Sequence, residues 1–253
     1  MIPFSVFNHI FPTFLFAACD AARNAKDIGH DTQNLKQSDE YAKYNYHVIN
    51  AVINSVTFLE ANINAFLVEI RDHGNIPDSL NIRQGSPQNT HIIDSVRQKV
   101  RANEQDATNR RDRWDYLDLK AKYDMALEVL DQSQRERIYQ KKPGQDIGVL
   151  INFRNYLVHY KVEAQTPPTV QFSRSPRSNY QKLIQQLNSN NHPHPLKIEG
   201  DLFANAFPDS HLSHDCAKWA VLTAKEFAEE FYQCFGMQSP HEDSSYSQFL
   251  RLW

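Results

Sequence analysis

Residues 38–71 read SDEYAKYNYHVINAVINSVTFLEANINAFLVEIR, and this stretch decides the fold. Apolar side chains return every three or four positions, at Tyr41, Tyr44, Val48, Val52, Val56, Leu59, Ile63, Phe66 and Ile70. That period places them along one stripe of an α-helix and excludes the two-residue alternation of a half-buried strand. Ser38 stands where an N-cap belongs and Gly74 where such a helix ends. Glu60, Asn62 and Asn64 ride beside the stripe as polar residues that need partners.

The same reading extends in both directions. A first core helix is expected within the Phe-rich N-terminal segment, which lacks the basic start of a signal peptide and the ~18 uninterrupted apolar residues of a membrane span. A short helix is expected over residues 91–105, and a clear one over residues 114–130 with Leu117, Ala121, Tyr123 or Met125, Leu127 and Leu130 on one side. Another is expected over residues 145–160, with Ile147, Leu150, Ile151, Leu157 and Val158 facing inward. Residues 161–210 read as a loop-rich insertion carrying one short helix near residues 180–187. A last long helix spans residues 213–235, with Ala217, Val221, Ala224, Phe227, Ala228, Phe231 and Phe235 inward, and a loose tail follows over residues 236–253. No strand pattern stands out beyond a short candidate at residues 169–172. The expectation is one all-α domain over residues 1–253, with long inter-helix loops and additional C-terminal helices.

Composition narrows the function. Hydrophobic residues make up 41% of the 253 and charged residues 23%, enough for a sizeable core. There are 7 glycines, with no GxGxxG and no GxxxxGK[ST], which argues against a β-barrel or a phosphate-cradling loop architecture. A net charge of −3 argues against a surface that binds nucleic acid as a whole. Any such contact must be local, and basic residues do cluster at Arg110, Arg111 and Arg113, at Arg135, Arg137, Lys141 and Lys142, and at Arg174 and Arg177. Solvated helix ends are the plainer reading of these clusters, and a core role that of Trp114 beside the first. Cys19, Cys216 and Cys234 are odd in number and widely spaced, which suits free thiols in a reducing cytoplasm. The run His211, His214, Cys216, with His192 or His194 as a further ligand, matches no closed zinc module; a polar loop leading into a helix explains it better.

Chemistry concentrates in Ile151-Asn152-Phe153-Arg154-Asn155-Tyr156-Leu157-Val158-His159-Tyr160-Lys161. Arg followed by four to six residues and His occurs twice, at Arg23 to His30 and at Arg154 to His159. The first crosses a polar stretch in which a helix ends at Gly29, whereas the second lies in an apolar helix, where a guanidinium must find a partner or a cleft. Five helical residues turn through roughly 500°, so the two side chains point about 140° apart and flank a cleft.

This Arg-Asn-x3-His block resembles the motif helix of the HEPN superfamily. The run Leu59 to Phe66 is similar to the second helix of HEPN-like proteins, and Cys216 to Val221 to the last helix of uncharacterised bacterial members. The resemblance implies a metal-independent endoribonuclease, in which an RNA 2′-OH attacks the adjacent phosphate to leave a 2′,3′-cyclic phosphate and a 5′-OH. It makes Arg154 the phosphate-holding residue, His159 the general acid or base and Asn155 the residue that orients them. Glu60, Asn64, Tyr160 and Lys161 are candidates for contact with the substrate. The implied partners are RNA, a second copy of the chain across the motif helix, and an antitoxin or regulatory protein, as in toxin–antitoxin or antiphage defence systems. No cofactor, no metal and no membrane are implied, and the setting is cytoplasmic. HEPN toxins paired with nucleotidyltransferases carry a Tyr two residues after the His; here that position is Lys161, and Tyr160 comes one residue early. The alternative is a non-catalytic HEPN-like interaction module, in which Arg154 pairs with Glu60 or Glu163.

Overall fold

In the computed structural model, residues 11–29, 38–73, 87–106, 113–130, 132–159, 179–188, 208, 211–237 and 239 are described. They form α1 (Phe11–Gly29), α2 (Ser38–His73), α3 (Pro87–Asp106), a 3₁₀ turn (Trp114–Tyr116), α4 (Leu119–Leu127), α5 (Gln132–Gln140), α6 (Lys142–Val158), α7 (Asn179–Asn188) and α8 (His214–Cys234). The fold is all-α, with no β-strand among the described residues.

The periodic stretch is the spine. α2 runs 36 residues, about 54 Å at 1.5 Å per residue. Every apolar residue of its stripe from Tyr44 to Ile70 is at most 2% exposed. α1 and α8 pack along it and on each other, and α6 packs on both α2 and α8. The buried face of α1 is slender, with Ala18, Cys19, Ala21, Ala22 and Ala25, so its backbone can lie close to its neighbours. α2 is also long and apolar enough to cross a membrane, but 56% of its most apolar window is buried inside the bundle, as in a core helix.

Several boundaries differ from the sequence reading for local reasons. The helix expected over residues 114–130 is broken. Asp118 takes an extended conformation and its carboxylate accepts the Ala121 N–H at 2.8 Å, so α4 starts only at Leu119. α5 was not expected at all, because it is polar apart from the buried Ile138 and half-buried Tyr139. α6 starts three residues earlier than expected, since Pro143 falls in its first turn, where no intrahelical N–H is needed. The short helix near residues 180–187 is α7, while the rest of the expected insertion and the strand candidate at residues 169–172 lie outside the described residues.

α8 carries caps at both ends. Ser213 Oγ accepts the Cys216 N–H at 3.1 Å, and the His214 N–H donates to the Tyr44 hydroxyl at 2.8 Å, fastening α8 to α2. At the other end Gly236 has φ of 68°. Its N–H bonds the Gln233 carbonyl and the Met237 N–H bonds the Tyr232 carbonyl, each at 3.0 Å, closing a Schellman motif. Met237 is only 3% exposed, so the tail is packed at its start.

Gly144 marks the tightest joint. A Cβ there would lie 1.9 Å from the Ile138 carbonyl oxygen, where α5 turns into α6. The three nearest atoms, two of Ile138 and one of Tyr139, are all backbone, so no rotamer change relieves them. Gly144→Ala is expected to destabilise by about 3 kcal/mol through overpacking, measured by urea unfolding; a midpoint equal to wild type would show that the joint yields.

Among the buried polar groups, a carboxyl lies deep in the core. Glu69 is 3% exposed, and burial pushes its carboxyl from an ordinary 4.5 up to about 7. It faces Tyr232, whose hydroxyl accepts a hydrogen bond from Asn62. The folded state therefore keeps this proton to higher pH than the unfolded chain does. Stability from this group is present below pH 4.5 and declines as pH rises through 7. Glu69→Gln should remove that decline, on the order of 2–3 kcal/mol. Urea midpoints at pH 5 and pH 8 test it; an equal fall in variant and wild type would contradict the assignment.

Candidate active site around Arg154

α6 carries the site because its inner face anchors it. Asp146, Ile147, Val149, Leu150 and Phe153 are buried, and Asp146 accepts hydrogen bonds from Lys142 and, at 2.9 Å, from Trp219 of α8. Val158, expected to face inward, is 47% exposed, and Phe153 takes the core position at 0%. The last turn of α6 keeps Tyr156 and Leu157 against the core and turns Asn155 and Val158 to solvent, and the candidate residues sit at that edge.

Arg154 reaches back toward α2. Its side chain is 21% exposed, and Nη2 lies 3.4 Å from Oε2 of Glu60. The Nε is buried and has no hydrogen-bond acceptor among the described residues. An ion pair this long, to a carboxylate 47% exposed, contributes on the order of 0–1 kcal/mol. Asn64, one turn further along α2, accepts a hydrogen bond from Lys122 Nζ of α4 at 2.9 Å. Lys122 is 3% exposed. Burial lowers its pKa, opposed first by the Glu60 charge and then by Asp115 and Asp118. The structure thus brings Glu60, Asn64, Lys122 and Arg154 to one seam between α2, α4 and α6.

His159 lies apart from that seam. It is the exposed C-cap of α6, with φ −109° and ψ 33°, and its backbone N–H donates to the Asn155 carbonyl at 2.9 Å. Asn155 is exposed on the same turn. No hydrogen bond or ion pair joins His159 to Arg154 among the described residues. Tyr160, Lys161 and Glu163 lie outside the described residues.

Lys122 was not singled out in the sequence. The signal was present, because Lys122 falls on the stripe of Leu119 and Ala126, where a charge has no outlet to water.

Several of the other candidates take structural roles. Trp114 is 3% exposed, and its Nε1 donates to Glu104 at 2.8 Å. Arg113 pairs with Asp115, Lys141 with Glu230, and Lys142 with Asp146. Arg110, Arg111, Arg174 and Arg177 are outside the described residues, as are His192 and His194. His211 is 6% exposed with its pKa lowered by burial, while His214 is half-buried with its Nε2 3.2 Å from Asp215 Oδ1. Among the described residues no three His, Cys, Asp or Glu side chains converge as a metal site would require. Burial pushes the thiols of Cys19 and Cys216 up to about 11 and about 12, which leaves them poor nucleophiles. Comparison with family models, curated proteins and solved structures returned no match.

Proposed function

We propose that this chain is a HEPN-like endoribonuclease working without a metal, with Arg154 and His159 as its central pair. The observation that carries the reading is the state of Arg154. A half-buried guanidinium stands near the end of the motif helix with a single long contact, from Nη2 to Glu60, so its Nη donors remain available to an anion. A phosphodiester fits that fork, and His159, five residues on at the exposed C-cap of the same helix, is the group that would exchange protons. In the reaction the O2′–phosphorus bond forms and the phosphorus–O5′ bond breaks. The O2′ proton leaves to a base and O5′ gains one, while Arg154 offsets the charge that builds on the phosphoryl oxygens. The 2′-OH is the nucleophile, so the substrate is RNA and not DNA. A second copy of the chain facing the exposed end of α6, and a protein that restrains the activity, belong to the same proposal.

One observation favours a second reading. Arg154 does pair with Glu60, as in a non-catalytic interaction module. Purified protein incubated with mixed RNA, with and without EDTA, beside Arg154→Ala, separates the two. Cleavage that survives EDTA, leaves cyclic phosphate ends and disappears in the variant supports the nuclease. Intact RNA throughout, with a lowered Tm for Arg154→Ala, supports the module.

A further inference from the structure

The seam that receives Arg154 brings two cations, Lys122 and Arg154, toward the Glu60 carboxylate, with Asp115 and Asp118 as lesser counter-charges for Lys122. Glu60 and Asn64 stand one turn apart on α2, so they share a face. Lys122 meets that face from α4 and Arg154 from α6. Lys122 is buried, yet its hydrogen bond goes to a neutral amide oxygen, which satisfies one of three donors and none of the charge. The carboxylate that offsets this charge most is Glu60, the same one that Arg154 reaches at 3.4 Å. Arg–carboxylate pairs left to themselves close into short, two-pronged bonds of about 2.7–2.9 Å. This one is long and single, as expected of a carboxylate whose charge is divided.

We infer that Lys122 is a positioning residue for the Arg154 site: by drawing on the Glu60 carboxylate from within the bundle, it keeps Arg154 from locking onto Glu60 and leaves the guanidinium free for a phosphodiester. Lys122 lies too deep to touch RNA itself. The identity of the ligand rests on the ribonuclease reading. The division of charge within the seam rests on the placement of Lys122 against Asn64, one turn from the Glu60 that Arg154 reaches, whatever the ligand.

The test uses the full chain and a mixed-sequence 2′-fluoro RNA oligonucleotide, which lacks the attacking hydroxyl and reports binding without cleavage. Lys122→Gln is expected to weaken binding about tenfold, the equivalent of ~1.4 kcal/mol, because Glu60 then holds Arg154 fully. The double variant with Glu60→Gln should return to within about threefold of wild type, since the competing carboxylate is gone. A residue that only packed the bundle would show no such rescue. A double variant as weak as Lys122→Gln, or Lys122→Gln binding like wild type, overturns the inference. If Lys122→Gln does not fold, Glu60→Gln alone decides: tighter binding than wild type supports the inference and weaker binding overturns it. A wild type that neither binds this probe nor cuts RNA overturns the nuclease reading, and the role given to Lys122 with it. A wild type that cuts RNA while the rescue fails overturns the Lys122 role alone.

Discussion

On the proposed ribonuclease reading, His159→Ala is expected to cut RNA cleavage by roughly 10²–10⁴-fold, the usual worth of a positioned general acid or base. The same substitution should leave Tm within a degree or two of wild type, since surface changes away from buried features rarely exceed about 0.5 kcal/mol. The structure supports that separation. His159 is exposed at the C-cap of α6, and its recorded hydrogen bond, to the Asn155 carbonyl, runs through the backbone and survives truncation of the side chain. Arg154→Ala differs, because it removes the Glu60 partner and vacates a half-buried site. Loss of cleavage in His159→Ala with unchanged Tm would therefore identify a chemical role more cleanly. Cleavage at the wild-type rate in His159→Ala would mean that this imidazole takes no part and that the preparation's nuclease lies elsewhere.

Phe231→Ala is expected to cost about 3–5 kcal/mol, a large part of the roughly 5–15 kcal/mol that holds a typical domain together. Phe231 is 0% exposed and stands where three helices meet. Its ring lies 4.9 Å from Phe66 of α2 at 75° and 4.9 Å from Tyr123 of α4 at 87°. Within α8 and just beyond it, Tyr232 and Phe235 stand at 5.6 and 5.1 Å. These edge-to-face contacts cannot close over a lost ring, because each neighbour is itself held by others, Phe66 at 5.2 Å from Phe235 and Tyr123 at 5.0 Å from Phe227. The cavity therefore stays open. Equilibrium urea unfolding reads the effect as a lower midpoint at unchanged slope. A loss below about 1 kcal/mol would mean that the cluster repacks and that α2, α4 and α8 are less tightly coupled than the ring geometry indicates.

What was legible in the sequence followed from periodicity. The stripe from Tyr44 to Ile70 needed no knowledge of neighbours, since a 3.6-residue repeat that long has one low-energy solution, a helix with that face buried. The same holds for α8, where Ala217, Val221, Ala224, Phe227, Ala228, Phe231 and Phe235 are all at most 1% exposed. Arg154 also stood out locally, as a charge within an apolar helix. Where periodicity was weak, the sequence misled. α5 is polar and gains its place from Ile138 and the tight joint at Gly144, and α4 is cut short by a side-chain cap that competes with continuing the helix. Only tertiary structure could decide which acid meets Arg154, because Glu60 lies 94 residues away along the chain. It also decided that Lys122, one lysine among many in the sequence, is buried at the same seam. Burial and charge pairing depend on which helices cross, and the hydrophobic pattern sets the helices but leaves their crossings to packing.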